Sequence, residues 1–171
     1  EVIQGYNCGT HDGWDRFSFD LANSDGRSEG APVLAAADGE WWHWVEGSGT
    51  LILKHEGGFY TMYTHMRSHR ELPRGAKVLR GELVGTVGNV GAPQVTPHLH
   101  FTLFATANPG GGERQPVPLR FDGAGSFADD GSCNQHGGAI LAAPAVPAPS
   151  RLAPARPGHY LPPGAARSAA F

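Results

Sequence analysis

The residues best suited to chemistry are histidines, nine of them in 171 residues against only two cysteines. Imidazole ligates metals when neutral and moves protons near neutral pH, so the excess asks for a location. The sharpest local signal is Pro97-His98-Leu99-His100-Phe101. Strand side chains alternate with a period of two, which aims His98 and His100 at one face as a pair of metal or proton-transfer positions. The same short pattern also fits two solvated histidines on an exposed strand. His65 closes the run Phe59-Tyr60-Thr61-Met62-Tyr63-Thr64-His65, where alternation places it on the face of Phe59, Thr61 and Tyr63. It reads either as a hydrogen-bonded structural residue or as a catalyst. His11 lies in the polar turn Gly9-Thr10-His11-Asp12-Gly13, and Asp20 interrupts an otherwise apolar stretch. Its parity is opposite to Phe17, Phe19 and Leu21, so Asp20 either faces water or, if buried, needs a cationic partner.

Positioning such groups falls to short strands and many turns. The 25 glycines and 14 prolines disfavour helix interiors, and no ten-residue stretch carries a helical period. Strand-like runs recur instead: 16–21, 32–37, 40–45, 50–55, 59–65, 77–79, 83–88 and 98–104, separated by turn signals such as Asp38-Gly39 and Gly57-Gly58. The expected fold is all-β and mostly antiparallel, a sandwich or open barrel. From Ile140 to Phe171 the character changes: seven prolines, many alanines, three arginines and no acidic residue. That segment reads as a flexible, disordered tail, because it offers too little apolar surface to offset its ordering entropy. The body is then 1–139, long enough for one core. All 16 acidic residues but only 10 of the 13 basic ones lie in it, giving it a charge of −6.

Composition also excludes some partners. An acidic body and a pI of 6.3 give no footing for nucleic acid. No run of 18 apolar residues occurs, so no transmembrane segment is expected. Cys8 and Cys133 form no C-x-x-C pair, leaving either one long-range disulfide in an exported protein or two thiols in a reducing compartment. A chain opening on Glu1 reads as a processed form whose targeting peptide is gone.

Taken in order, these pieces resemble a family. His11 with Asp20, Gly30-Ala31-Pro32-Val33 leading to Ala37-Asp38-Gly39, Tyr63-Thr64-His65, Gly81 to Gly88, and Pro97 to Phe101 follow the sequence of LytM- or lysostaphin-type metallopeptidases, the M23 family of bacterial cell-wall endopeptidases. The resemblance spans roughly residues 5–105. It implies the LytM-type β fold and a zinc ion held by His11, Asp20 and His100, an open three-ligand set suited to catalysis. It implies that His65 and His98 act as non-ligand catalytic residues, one handling the proton of the attacking water and the other the oxyanion or leaving amine. His11-Asp12-Gly13-Trp14-Asp15 also fits the compact H-x-G-x-D form of many relatives, which would make Asp15 the ligand. Asp20 is favoured by its strand-like Ser-Phe-Asp-Leu setting and its proximity to Gly30-Ala31-Pro32-Val33.

The function so implied is a monomeric zinc endopeptidase cleaving peptidoglycan stems or cross-bridges outside the cytoplasm, whether secreted, periplasmic or in the cell envelope. A non-catalytic wall-binding or hydrolase-activating module of the same family is the alternative. A β-barrel carrier with incidental histidines is a third reading. Export favours pairing of Cys8 with Cys133. Trp41, Trp42 and Trp44 are assigned to the core, and His55 to a structural role.

Overall fold

The computed structural model describes residues 1–108, 112–122 and 124–141. Within them the chain forms β1 (Val2–Gln4), β2 (Phe19–Leu21), β3 (Pro32–Leu34), β4 (Gly39–Val45), β5 (Thr50–Lys54), β6 (Phe59–Thr64) and β7 (Met66–His69). It continues with β8 (Lys77–Val78), β9 (Leu83–Val87), β10 (Leu99–Ala105), β11 (Gln115–Pro116), β12 (Arg120–Phe121) and β13 (Gly125–Ser126). Single 3-10 turns at Gly13–Asp15, Glu46–Ser48 and Glu56–Gly58 are the only helical elements among the described residues. The expectation of an all-β, antiparallel fold therefore holds. Most of the segment expected to be a flexible tail, 142–171, lies outside the described residues.

The main sheet runs β1-β2-β10-β6-β5-β4-β8, with β11 added beside β10, and a second sheet runs β3-β9-β7. All of these pairings are antiparallel. Register decides what each face carries. Phe101 lies opposite Phe19 on one side and Tyr63 on the other, while His100 lies opposite Asp20 and Thr64. Residues directly opposite each other share a face. Phe19, Phe101 and Tyr63 thus point into the main core with Tyr6, Leu51, Leu53, Val84 and Phe127, whereas Asp20 and His100 occupy the reverse face. Farther along that reverse face, Ile52, Tyr60, Met62 and Phe104 form a second, smaller apolar cluster capped by half-buried Trp14 and Trp42. Trp41 is in the core as expected, and Trp44 stays half-buried with its ring against His69, 4.1 Å between centroids.

The N-terminal segment is stitched to the end of the body. Val2 exchanges backbone hydrogen bonds with Gly138 and Ala139, Tyr6 bridges Gln135, and Gly5 N–H donates to Asn134 Oδ1 at 2.8 Å. A Cβ on Gly5 would sit 1.9 Å from the Gln135 carbonyl oxygen, so only glycine permits this approach. Cys8 and Cys133 form a disulfide across the same seam. Ala139 and Leu141 pack on the core.

Candidate metal centre

Four elements converge on the reverse face of β2 and β10. Asp20 comes from the middle of β2 and is only 8% exposed. It does not face water, and the partners its burial demands are histidines. His11, 1% exposed in the loop after β1, reaches Asp20 Oδ1 with Nε2 at 3.2 Å. His100 on β10 reaches the same oxygen with Nδ1 at 2.9 Å. One ligand atom from each of His11, Asp20 and His100 lies within 4.8 Å of the others. His98, just before β10, has Nε2 3.7 Å from Asp20 Oδ1, so both histidines of the H-x-H pair do approach one carboxylate.

Hydrogen bonds at the far side of each ring fix which nitrogen is presented. His11 Nδ1–H donates to the Gly5 carbonyl at 2.7 Å, and His98 Nδ1–H to the Thr96 carbonyl at 2.8 Å. A carbonyl can only accept, so each neutral ring turns an unprotonated Nε2 inward. His100 is mounted the other way round. Its Nε2 faces Asp15 Oδ2 at 3.0 Å and Thr102 Oγ1 at 3.1 Å, leaving Nδ1 for Asp20. With neutral rings, two imidazole lone pairs and a carboxylate point at one another in a buried space. Acceptors facing acceptors require a cation between them or a proton on a ring.

The ionisation of these groups shows the same demand. Burial opposes charge on His100, but hydrogen bonds and attraction from Asp15 and Asp20 prevail, and its pKa is pushed up to about 9. Burial opposes charge on Asp20 too, yet the bonds from His100 and His11 hold its carboxyl well below the usual range. Asp15 is lowered by His100, Ser18 and Thr102 against its own desolvation. Without a metal, then, a proton on His100 fills the cation's role.

His65 arrives by an irregular path. β6 ends at Thr64 and β7 begins at Met66, and His65 between them has φ of 68°. The left-handed conformation is costly for a residue with a Cβ. It breaks the alternation that would have put His65 on the core face with Tyr63, and the ring instead lies 4.9 Å from that of His98 and 6.2 Å from that of His100. The parity expected for His65 is therefore corrected. The kink is held by His65 N–H to Ser48 O and Met66 N–H to Gly49 O. Gly49 has φ of 58°, and a Cβ there would meet the Met66 carbonyl oxygen at 2.2 Å. His65 Nδ1–H donates to the Val90 carbonyl at 2.8 Å, freeing Nε2. Burial pushes its pKa down, assisted by nearby His98 and His100, so the ring is neutral at pH 7.

Asp15, weighed in the sequence as a rival to Asp20, is present in the cluster but on the opposite nitrogen of His100. Ser18 and Thr102 went unnoticed in the sequence, although the parity of His100 and Thr102 on β10 already aligned them. Two other histidines are engaged elsewhere: His55 binds Asp38 O and Thr61 Oγ1, and His136 packs edge-on against Tyr6.

The profile of Peptidase family M23 matches residues 20–111, more than half of the chain. The chain belongs to peptidase family M23. No curated protein matches the sequence. Among solved structures, the deep-sea M23 metalloprotease pseudoalterin is similar at 22% identity, covering 78% of this chain and 88% of that one, with a TM-score of 0.52. A zinc-containing peptidase from Vibrio cholerae is similar at 24% identity, covering 68% of this chain and 35% of that one, with a TM-score of 0.50. The catalytic domain of the antimicrobial peptidase lysostaphin from Staphylococcus simulans is similar at 22% identity, covering 63% and 80%, with a TM-score of 0.44.

Proposed function

We propose that this protein is a zinc-dependent endopeptidase that hydrolyses peptide bonds in bacterial peptidoglycan stems or cross-bridges, working in the cell envelope or outside the cell. Membership of the M23 family supports a peptide hydrolase. The observation that carries zinc is the donor set: two buried imidazole lone pairs and one carboxylate oxygen, from His11, His100 and Asp20, within 4.8 Å of one another. Nitrogen and carboxylate donors in a set of three suit zinc and leave a position for substrate. When bound, the ion supplies Lewis-acid polarisation of a peptide carbonyl and brings the pKa of a water molecule toward 7.

The protein's own groups do the rest. Neutral His65, with Nδ1–H tied to Val90 O, offers Nε2 as the acceptor for the water's proton. His98, with Nδ1–H tied to Thr96 O, presents Nε2, which in the protonated ring donates to the developing oxyanion or the departing amine. Both rings are held by backbone carbonyls rather than by mobile side chains, which fixes their aim before substrate arrives.

Digestion of defined muropeptides with mass-spectrometric readout tests this reading, together with zinc content. Cleavage that needs zinc is expected, and His65→Ala and His98→Ala should each lose ~10²- to 10⁴-fold in rate while keeping zinc. Unchanged rates in both variants would refute the roles given. A zinc-loaded wild type that cleaves nothing would leave the chain as a non-catalytic wall-binding module.

A further inference from the structure

His100 stands between two aspartates. Asp20 Oδ1 is 2.9 Å from Nδ1, and Asp15 Oδ2 is 3.0 Å from Nε2. Only the Asp20 side is shared with His11, so a cation placed among His11, Asp20 and His100 leaves Asp15 behind the ring. Asp15 is itself held firmly. Its Oδ1 accepts Ser18 Oγ–H at 2.7 Å and Thr102 Oγ–H at 2.6 Å, and those two hydroxyls lie 2.6 Å apart. Ser18 and Thr102 are almost wholly buried, at 0% and 1% exposure. The backbone contributes too: Ser18 N–H donates to Asp15 O, closing the turn that carries Asp15 up to β10.

We propose that Asp15 is a positioning residue for the metal, gripping His100 through Nε2–H so that Nδ1 is the nitrogen presented to the ion. The inference rests on the zinc reading above. Two physical effects follow from the geometry. An Nε2–H···carboxylate bond selects one tautomer and one ring orientation and makes Nδ1 a more basic donor. Asp15 also supplies the second negative charge of the cluster, so that Asp15, Asp20 and a divalent ion sum to zero in a site with little water.

Zinc affinity, read by competition with a chromogenic chelator, is the main test, on wild type and Asp15→Asn. The asparagine keeps the shape and an acceptor oxygen but removes the charge. The variant should bind zinc about 10- to 100-fold more weakly. The thermal midpoint of its metal-free form should fall far less than a loss of fold would require. In parallel, histidine-selective ¹⁵N NMR of the zinc-loaded proteins should show His100 metal-bound at Nδ1 and protonated at Nε2, with the Nε2–H proton markedly more deshielded in wild type than in Asp15→Asn, a difference that a purely structural role would not produce. Equal zinc affinities in the two proteins overturn the role of Asp15 and leave the peptidase reading intact. Metal on Nε2 of His100 also overturns it, since Asp15 would then be a ligand. A wild type that binds no zinc overturns both readings. Should Asp15→Asn fail to fold, the Nε2–H proton of His100 in zinc-loaded wild type decides: a strongly deshielded, slowly exchanging proton is expected from a carboxylate bond, and an ordinary, fast-exchanging one overturns the role of Asp15.

Discussion

Adjacent residues of β10 serve opposite faces of one sheet, and the faces are built on different physics. Phe101 meets Phe19 and Tyr63 in a core that is mainly apolar, with the hydroxyls of Tyr6 and Tyr63 each hydrogen-bonded. One residue away, His100 meets buried Asp20 and Thr102 and half-buried Asp15, polar groups whose desolvation works against folding until each is paired. The core face can tolerate reshaping at a cost in stability alone. On the proposed reading, exchanging a donor on the polar face alters what that face binds. Stability and chemistry are thus divided by the strand's two-residue repeat rather than by distance along the chain.

Substitution at His100 should separate the two faces most sharply. His100→Ala is expected to abolish zinc binding and reduce peptide cleavage to background while the metal-free protein still folds. Zinc by atomic absorption and a muropeptide digest check it; a variant retaining full zinc content would erase the distinction. Phe101→Ala should do the reverse, costing about 3–5 kcal/mol of stability in denaturant unfolding. Its zinc affinity should hold wherever it remains folded.

A pH titration of metal-free protein addresses the polar face by itself. His100 has its pKa raised to about 9 in the folded state against 6.5 as the ordinary value. Its stabilising contribution is therefore complete below pH 6.5 and is lost as pH climbs through 9, up to about 3 kcal/mol. Asp15 and Asp20 are lowered from 3.8, so their contributions are present above that pH and vanish on acidification. Maximum stability of the metal-free form is expected between about pH 4 and 6.5, by chemical denaturation across pH. Saturating zinc should remove the decline above pH 6.5, because the ion replaces the proton. The smallest effect belongs to the aromatic end of the same face, where the Arg114 guanidinium covers Trp14 and Phe104 at 4.3 and 4.8 Å. Arg114→Ala should cost about 0.5–1 kcal/mol, with zinc affinity unchanged by the same chelator competition.

Much of this was legible from residue types and parity. His98 and His100 meet the same carboxylate because H-x-H preserves a face, and Asp20 is opposite Phe19 because neighbouring strand residues must be. Parity failed at His65 because it holds only while φ stays negative, and nothing in Tyr63-Thr64-His65-Met66 announces a left-handed histidine. The position of Asp15 was hidden for a different reason. Sequence spacing offered two aspartates for one role, and only the ring of His100 shows that both have a place, one on each nitrogen. The clasp of Gly5 against Gln135 joins segments 130 positions apart, beyond any local pattern.

That clasp sets an order of events. Gly5 O receives His11 Nδ1–H, and Gly5 itself is held by Asn134, Gln135 and the nearby link from Cys8 to Cys133. In a chain made from its N-terminus, His11 is the first of the three proposed ligands to exist and one of the last to gain its support. The contacts that hold Gly5, and through it His11, need residues 133–135. The order of synthesis thereby ties the proposed site to the completion of the body that carries it.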